Sequence, residues 1–400
     1  MRWYLTGVLV SGFGTTAMWL VSGIWVKSLT GSDGLAALAA FALWAPVLLG
    51  PLLGTLADRA RRRPLLVALD LAAAAVLPVL LWVDSADRVW LLFAVLVLYG
   101  AQGTLHEAAE QALVATAADA ERLGALNGLR MTANESTKLI APLVAAGLFA
   151  AYGGGTVALL DAAGFALAAG LFARMPVREE RPARPEARKL RRETAEGARL
   201  LRGSPVLRPL VATGAFTMLL AGVNGAAIYA VVDRGLGHAP AYAGVLYAVQ
   251  GAGSVLAGLL TGPLLRRIPE RTLAAGGLAL FSVAAGVRAL PYEATALAAS
   301  AGIGLGLPWV LVAVATAVQR VAPPEAVGRV AATAHTLVMA PNALALGLGA
   351  GLVALVDVRV LLPLLALAGT GWAAAVTVRG RRHGRARETT DRPDPSVPVG

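Results

Sequence analysis

Long apolar stretches, each closed by a short polar or charged turn, recur along the whole chain. Windows of about 20 residues match the length a helix needs to cross a hydrocarbon core. Twelve stretches meet that length, near 4–26, 34–57, 65–83, 89–115, 128–151, 156–174, 207–232, 241–265, 272–290, 294–318, 329–353 and 358–378. The first follows only three residues and runs past 20, so it reads as a span and not as a cleaved signal peptide. The pattern predicts an all-α integral membrane protein with twelve transmembrane helices.

One long polar interruption divides these spans into two sets of six. It runs from Pro176 to Ser204, begins Pro-rich and extended, and from Glu186 to Arg202 sets Leu190, Ala198 and Leu201 among basic residues. That pattern suits an amphipathic helix on the inner membrane surface. The expected organisation is a first bundle at 1–175, a cytoplasmic linker at 176–205, a second bundle at 206–378 and a polar, Pro-rich tail at 379–400 that is expected to be disordered. The halves read as diverged repeats: Gly50-x-x-x-Gly54 is answered by Gly258-x-x-x-Gly262, Asp58-Arg59 by Arg266-Arg267, and Glu121-x-x-Gly124 by Glu325-x-x-Gly328.

Composition agrees. Hydrophobic residues make up 57% of the 400 and charged residues 15%, against about 25% charged in soluble chains. A mean hydropathy of +0.67 excludes an ordinary soluble protein. The net charge of +11 suggests nucleic acid until its distribution is examined. With the N-terminus inside, Arg59 to Arg63, Arg122, Arg266, Arg267, Arg271, Arg320, Arg329, the tail and the 174–208 linker with its eleven Lys and Arg share one side. The opposite side holds only Lys27, Arg88, Arg234, Arg288 and Arg359. This asymmetry is the positive-inside rule, and it puts both termini in the cytoplasm. The basic charge therefore records topology and contact with anionic lipid, not DNA. The absence of cysteine excludes disulfides and thiolate chemistry, and the four histidines show no ligand spacing. No cofactor or metal is expected. The abundance of Ala, Gly, Arg and Val suits a GC-rich bacterial genome, hence a bacterial inner membrane.

The stretch Gly50 to Arg63 (G-P-L-L-G-T-L-A-D-R-A-R-R-R) carries the most information. Gly50 and Gly54 lie one helical turn apart and admit a close neighbour. Asp58, Arg59, Arg62 and Arg63 then form a charged hairpin before the next apolar run. The order Gly-x-x-x-Asp-Arg-x-x-Arg-Arg resembles the loop signature between helices two and three of major facilitator superfamily transporters, with Arg61 where the family has glycine. Other segments resemble a bacterial exporter branch that includes macrolide-efflux and enterobactin-exporter-like proteins. They are S-G-F-G-T-T-A-M-W-L from Ser11, W-V-K-S-L-T-G-S from Trp25, L-L-D-A-A-G-F from Leu159, G-V-L-Y-A-V-Q-G-A-G-S from Gly244 and Q-R-V-A-P-P-E-A-V-G-R-V from Gln319. The resemblance implies parallel halves with a mid-membrane substrate site between them. It also implies a gating role for Gly54, Asp58, Arg59, Arg62 and Arg63.

A charge within a span needs a partner or a role, since it costs about 2.5–3.5 kcal/mol on insertion scales. Asp70 is expected to pair with the arginines of the Asp58 hairpin, and Asp161, in a peripheral span, to be structural. The densest cluster is His106, Glu107 and Glu110 on span four, opposite Arg130, Asn134, Glu135 and Lys138 on span five. Glu107 and Glu110 share a helical face, as do Arg130, Asn134 and Lys138. The cluster reads either as a self-satisfied seam or as the proton-coupling site. Thr15, Trp19 and Ser22 share a face of span one. With Asn224, Gln250, His335 and Asn342 they are candidates for the substrate cavity, or else helix–helix glue. Pro142, followed by alanines, is a faint antiporter sign. Gly302 to Gly306 (G-I-G-L-G) lies within an apolar span without a following Lys-Ser/Thr, so it is no phosphate loop.

The reading is thus a non-enzymatic secondary transporter. It exports a hydrophobic or amphipathic small molecule by alternating access, with protons as the candidate coupling ion. Membrane lipids are its surroundings and a monomer is its expected state. An importer of a small nutrient, and a membrane sensor or assembly factor of the same fold, remain open alternatives.

Overall fold

The computed structural model describes residues 2–50, 53, 60–117, 120–175, 196–323 and 326–390, with the side chains of 2–5, 111–112, 114–117, 120–136, 138–139 and 379–390 outside that description. The first half comprises α1 (Arg2–Thr30), α2 (Asp33–Trp44), α3 (Arg62–Val76), α4 (Val89–Ala117) and the stretch Ala120–Ala173. Gly153, at φ 77° and ψ 174°, breaks that last stretch into α5 (120–152) and α6 (154–173). Only glycine adopts such a backbone at little steric cost. The second half comprises α7 (Leu207–Ala226), α8 (Ala243–Leu265), α9 (Glu270–Val287), α10 (Glu293–Val321), α11 (Val327–Leu355) and α12 (Val358–Thr390).

These twelve helices coincide with the twelve apolar stretches. Among the described residues, nine helical segments are long and apolar enough to cross a membrane, one of them merging the end of α5 with α6. Helix α2, with its extension to Leu49, is shorter, and α9 opens on the charges Glu270 and Arg271. Two helices tighten into 3-10 turns at prolines, α2 at Ala45–Leu49 around Pro46 and α3 at Leu77–Trp82 around Pro78. Proline removes the backbone donor that the α ladder would use.

The chain alternates between two ends. The near end carries the start of α3 and the short helix at 196–203; the far end carries the turns at Gly31, Ser85, Gly237, Leu290 and Val356. Within the first half, α1 packs extensively on α5 and α6, and α3 on α4; within the second, α11 packs on α7, and α10 on α8 and α9. Between the halves, α2 packs on α11 and α8 on α5. At the far end these contacts form shared apolar clusters. Leu20, Ile24, Ala36 and Ala146 meet Ile228, Tyr229, Leu246 and Ala296, and Ala37 meets Ala230, Ala350 and Val353.

Three expectations are corrected. A Cβ at Gly50, Gly258 or Gly262 would meet nothing within 4 Å, so those glycines admit no close neighbour here. The close approach lies instead at Gly304 of the G-I-G-L-G run, whose Cβ would collide with the Gln250 carbonyl, bringing α8 and α10 together backbone to backbone. The linker helix at 196–203 docks on the second half: Leu201 is buried in that half's core, and Glu196 pairs with Arg329 at 2.5 Å. Finally, α12 continues to Thr390, so the first part of the tail is helical. Residues 176–195 and 391–400 lie outside the described residues.

Candidate functional site

Four charged side chains meet at the far end, two from each half. Lys27, in the last turn of α1, reaches Asp33 at the start of α2 at 2.9 Å and Asp233 of the second half at 2.6 Å. Its Nζ also donates to the Gly31 carbonyl at 2.8 Å, which the left-handed turn at Gly31 (φ 68°) presents. Arg234 Nε lies 3.0 Å from Asp33, and its Nη2 donates to the Val353 carbonyl of α11 at 3.2 Å. Asp233 and Arg234 sit on a π-helical turn, Val231–Gly235, that extends α7. Such turns often accompany functional positions. Lys27 and Asp33 are buried, at 6% and 9% exposure. Two cations and two anions alternate, so the cluster is neutral and spans both halves. Close by, the Tyr229 hydroxyl donates to the Leu20 carbonyl at 3.1 Å, again from the second half to the first.

Below this layer, Trp19 of α1 meets Tyr247 of α8 edge to face, their ring centroids 4.7 Å apart. Thr15, on the same face of α1, is exposed. Asn224 and Gln250 lie on α7 and α8 of the second half. Asn224 is buried and receives an N–H of Arg288 at 3.5 Å, while the Gln250 side-chain oxygen is buried without a partner. Ser22, in contrast, is fully buried with its hydroxyl bonded to the Trp19 carbonyl at 2.9 Å, which withdraws it from the cavity. Asn342 packs against Gly222, and His335 is exposed on α11 away from this group.

The polar seam of the first half is rearranged relative to expectation. Asp70, fully buried, lies 3.2 Å from His106 Nε2 and receives the Gln102 amide at 3.4 Å. Among the described residues it pairs with no hairpin arginine. Glu110 is buried and approaches His106 Nδ1 at 3.9 Å, whereas Glu107 is exposed. The two acids thus part company although they share a helical face. The side chains of Arg130, Asn134, Glu135 and Lys138 lie outside the described residues, as do Gly54, Asp58 and Arg59. Of the hairpin arginines, Arg63 donates Nε to the Phe172 carbonyl at 3.2 Å and an Nη to the Ala173 carbonyl. It thereby caps the C-terminus of α6, where a cation complements the helix dipole. Arg62 is half-buried at the start of α3.

Asp161 and Arg288 are also buried, each inside a single half. Asp161 of α6 accepts the Tyr99 hydroxyl at 2.8 Å, and that hydroxyl lies 3.3 Å from Thr15. Arg288, at the end of α9, donates to Ser300 at 2.8 Å and to Asn224, and its Nε has no partner. Among the described residues neither faces an opposite charge. No set of residues suited to a metal ion occurs among them either.

Parallel six-helix halves, meeting at one end through a neutral charge cluster, form the frame of a two-sided transporter. The sequence matches the Major Facilitator Superfamily over residues 4–346. The chain belongs to that superfamily. No curated protein matches it. Among solved structures it is similar to a peptide transporter of the POT family in complex with sulfate (14% identity, covering 96% of this chain and 95% of that one, TM-score 0.72). It is also similar to the nucleoside transporter NupG (12%, 94% and 98%, TM-score 0.73) and to a bacterial homologue of the iron transporter ferroportin in its inward-facing state (16%, 94% and 97%, TM-score 0.70). At such identities the likeness is one of fold. The chain is therefore a multi-pass secondary transporter of small molecules and not an enzyme.

The far-end cluster is what sequence reasoning missed. Lys27 and Arg234 entered it only as charges on the sparse side of the membrane. The one available signal was Arg234 directly beside Asp233 at a span end.

Proposed function

We propose that the chain exports an amphipathic small molecule across a bacterial inner membrane by alternating access, as a monomer with both termini in the cytoplasm. The far end is then the outer face, and the conformer described is closed there and inward-facing. The observation that carries this reading is the alternating cluster Lys27–Asp33–Arg234 with Asp233, which ties the halves together at the far end through groups that water can solvate once the halves separate. A ligand bound beneath it would meet Trp19, Tyr247, Thr15 and Asn224. The resemblance of Ser11–Leu20 and Gln319–Val330 to macrolide-efflux and enterobactin-exporter-like proteins favours export over import. Glu110, beside His106 and Asp70, is the better placed candidate for proton coupling, and Glu107 the lesser.

Everted vesicles incubated with a panel of amphipathic dyes and antibiotics test this reading, with and without a proton gradient. Chain-dependent accumulation inside everted vesicles is expected. Accumulation only in right-side-out vesicles would establish an importer and overturn it. The topology is checked separately, because the chain has no native cysteine. Single cysteines at Asp87 and Tyr292 should react with an impermeant reagent from outside, and one at Gly203 should not.

A further inference from the structure

Helices α1, α5 and α6 enclose a cavity of about 510 Å³, within the size range of small-molecule pockets. Its described walls are apolar apart from Thr137 and Asp161. Its rim includes Leu9, Ile140 and Leu160, which are 41%, 56% and 53% exposed. On α1 the cavity is lined by Leu9, Phe13 and Ala17, spaced by four. That stripe is rotated by about 150° from the Thr15, Trp19 and Ser22 face, at 100° per residue. The cavity therefore opens away from the space between the halves, through apolar side chains that face lipid in a membrane bundle.

Asp161 is the charged group on its described walls. The residue is 3% exposed; one carboxylate oxygen takes the Tyr99 hydroxyl, and the other has no hydrogen-bond partner among the described residues. That free oxygen lies against Gly14, where a Cβ would collide with it, so α1 is shaped to admit the carboxylate. A lone acid on an apolar wall is costly unless something completes it. A single oxygen offers too few ligands for a metal ion. An acyl chain would fill the volume and leave the charge uncompensated.

We infer that this crevice receives a lipophilic monocation from the bilayer, its charge on Asp161 and its bulk against Leu9, Phe13 and Ile140. Tyr99 joins Asp161 to Thr15, so the bound cation lies one hydroxyl away from the space between the halves. The inference deepens the export reading by naming a substrate class, and rests on it for the cation's onward passage, but binding to the crevice is measurable without transport.

The test is equilibrium binding of radiolabelled tetraphenylphosphonium to the full-length chain in phosphatidylcholine nanodiscs. Asp161→Asn keeps an acceptor for Tyr99 and removes the charge; it should weaken binding by about tenfold or more, since charges interact strongly where the dielectric is low. Leu160→Trp, which fills the rim and spares the carboxylate, should weaken it comparably, and unchanged thermal melting of either variant certifies its fold. Leu355→Ala, at the end of α11 and 86% exposed, should change affinity less than about twofold. No binding by the unaltered chain, or binding lost in Trp19→Ala, between the halves, but kept in Asp161→Asn and Leu160→Trp, would overturn the crevice. Asp161-dependent binding without vesicle transport would instead sink the export reading and leave the crevice standing.

Discussion

At the far end four charged side chains neutralise one another across the boundary between the halves, whereas Asp161 and Arg288 lie inside single halves with no opposite charge beside them among the described residues. In the proposed alternating-access cycle, the difference follows from what moves. A cluster on a moving boundary can be dismantled: once the halves part, each charge recovers its hydration, so closure is reversible. A charge inside a half stays buried through the whole cycle and must be held by neighbours that travel with it. Arg288 has two such neighbours, on α7 and α10; Asp161 has one hydroxyl and a cavity. The second half encloses its charge, while the first leaves room beside it.

Removing one member of the boundary cluster should have the largest effect. Asp33→Ala would leave Lys27 with one carboxylate and Arg234 with none of the pairing it has in the closed state. Breaking a buried pair from one side costs about 3–5 kcal/mol. That energy should appear mainly as a shift toward far-end opening. Paired spin labels on cysteines introduced at Asp87 and Tyr292, one in each half, would report it as a longer distance. An unchanged distribution would show that the apolar clusters alone hold the far end shut. Reversing a cross-boundary pair with Lys27→Glu and Asp233→Lys should return part of the population to the closed distance.

Within the halves the effects should be smaller and unequal. Tyr99→Phe removes the one hydrogen bond that Asp161 receives, at an expected cost of about 1–3 kcal/mol for a buried acceptor left unsatisfied. Thermal unfolding in detergent reads this directly. A variant as stable as the parent would mean that Asp161 is satisfied by water in the cavity, and the contrast between enclosed and open charge would then be sharper.

Much of the architecture was legible because membrane burial is a local signal. A span must be apolar along its own length, so each of α1 to α12 announces itself, and the polar run after Ala173 separates the halves. The face shared by Thr15 and Trp19 was legible for the same reason, since helical period alone fixes it. What escaped was pairing between distant positions. Lys27 and Asp233 are neighbours in space and not in sequence, and no periodicity links them. Arg288 at a span end reads as an ordinary loop charge until α9 is seen to turn it inward onto Asn224 and Ser300. Asp70 pointed to the nearest arginines in sequence, but its helical face meets α4, where His106 and Gln102 are closer. Glycine pairs misled in a similar way: spacing shows that a close approach is allowed, and packing alone decides which glycine is used.

The smallest effect should come from Ser300→Ala. The hydroxyl accepts from Arg288 Nη2 at 2.8 Å and itself donates to the Ala296 carbonyl within α10. Losing it removes one bond to a charged donor, but Asn224 remains and the guanidinium has further N–H groups that can turn toward it. A net cost of about 1 kcal/mol is expected, below the usual range for a bond to a charged group because those partners remain. The comparison with Tyr99→Phe is what matters: a charge held by two partners should tolerate the loss of one better than a charge held by one. If thermal unfolding shows Ser300→Ala to be the more damaging of the two, then Arg288 is the poorly supported charge, and the second half has a buried site short of its own counter-charge. Asn224→Ala in the Ser300→Ala background would decide it. Coupling well beyond the sum of the single effects is expected if both residues share the work of holding Arg288, and simple additivity would show that the guanidinium is secured by something other than these two side chains.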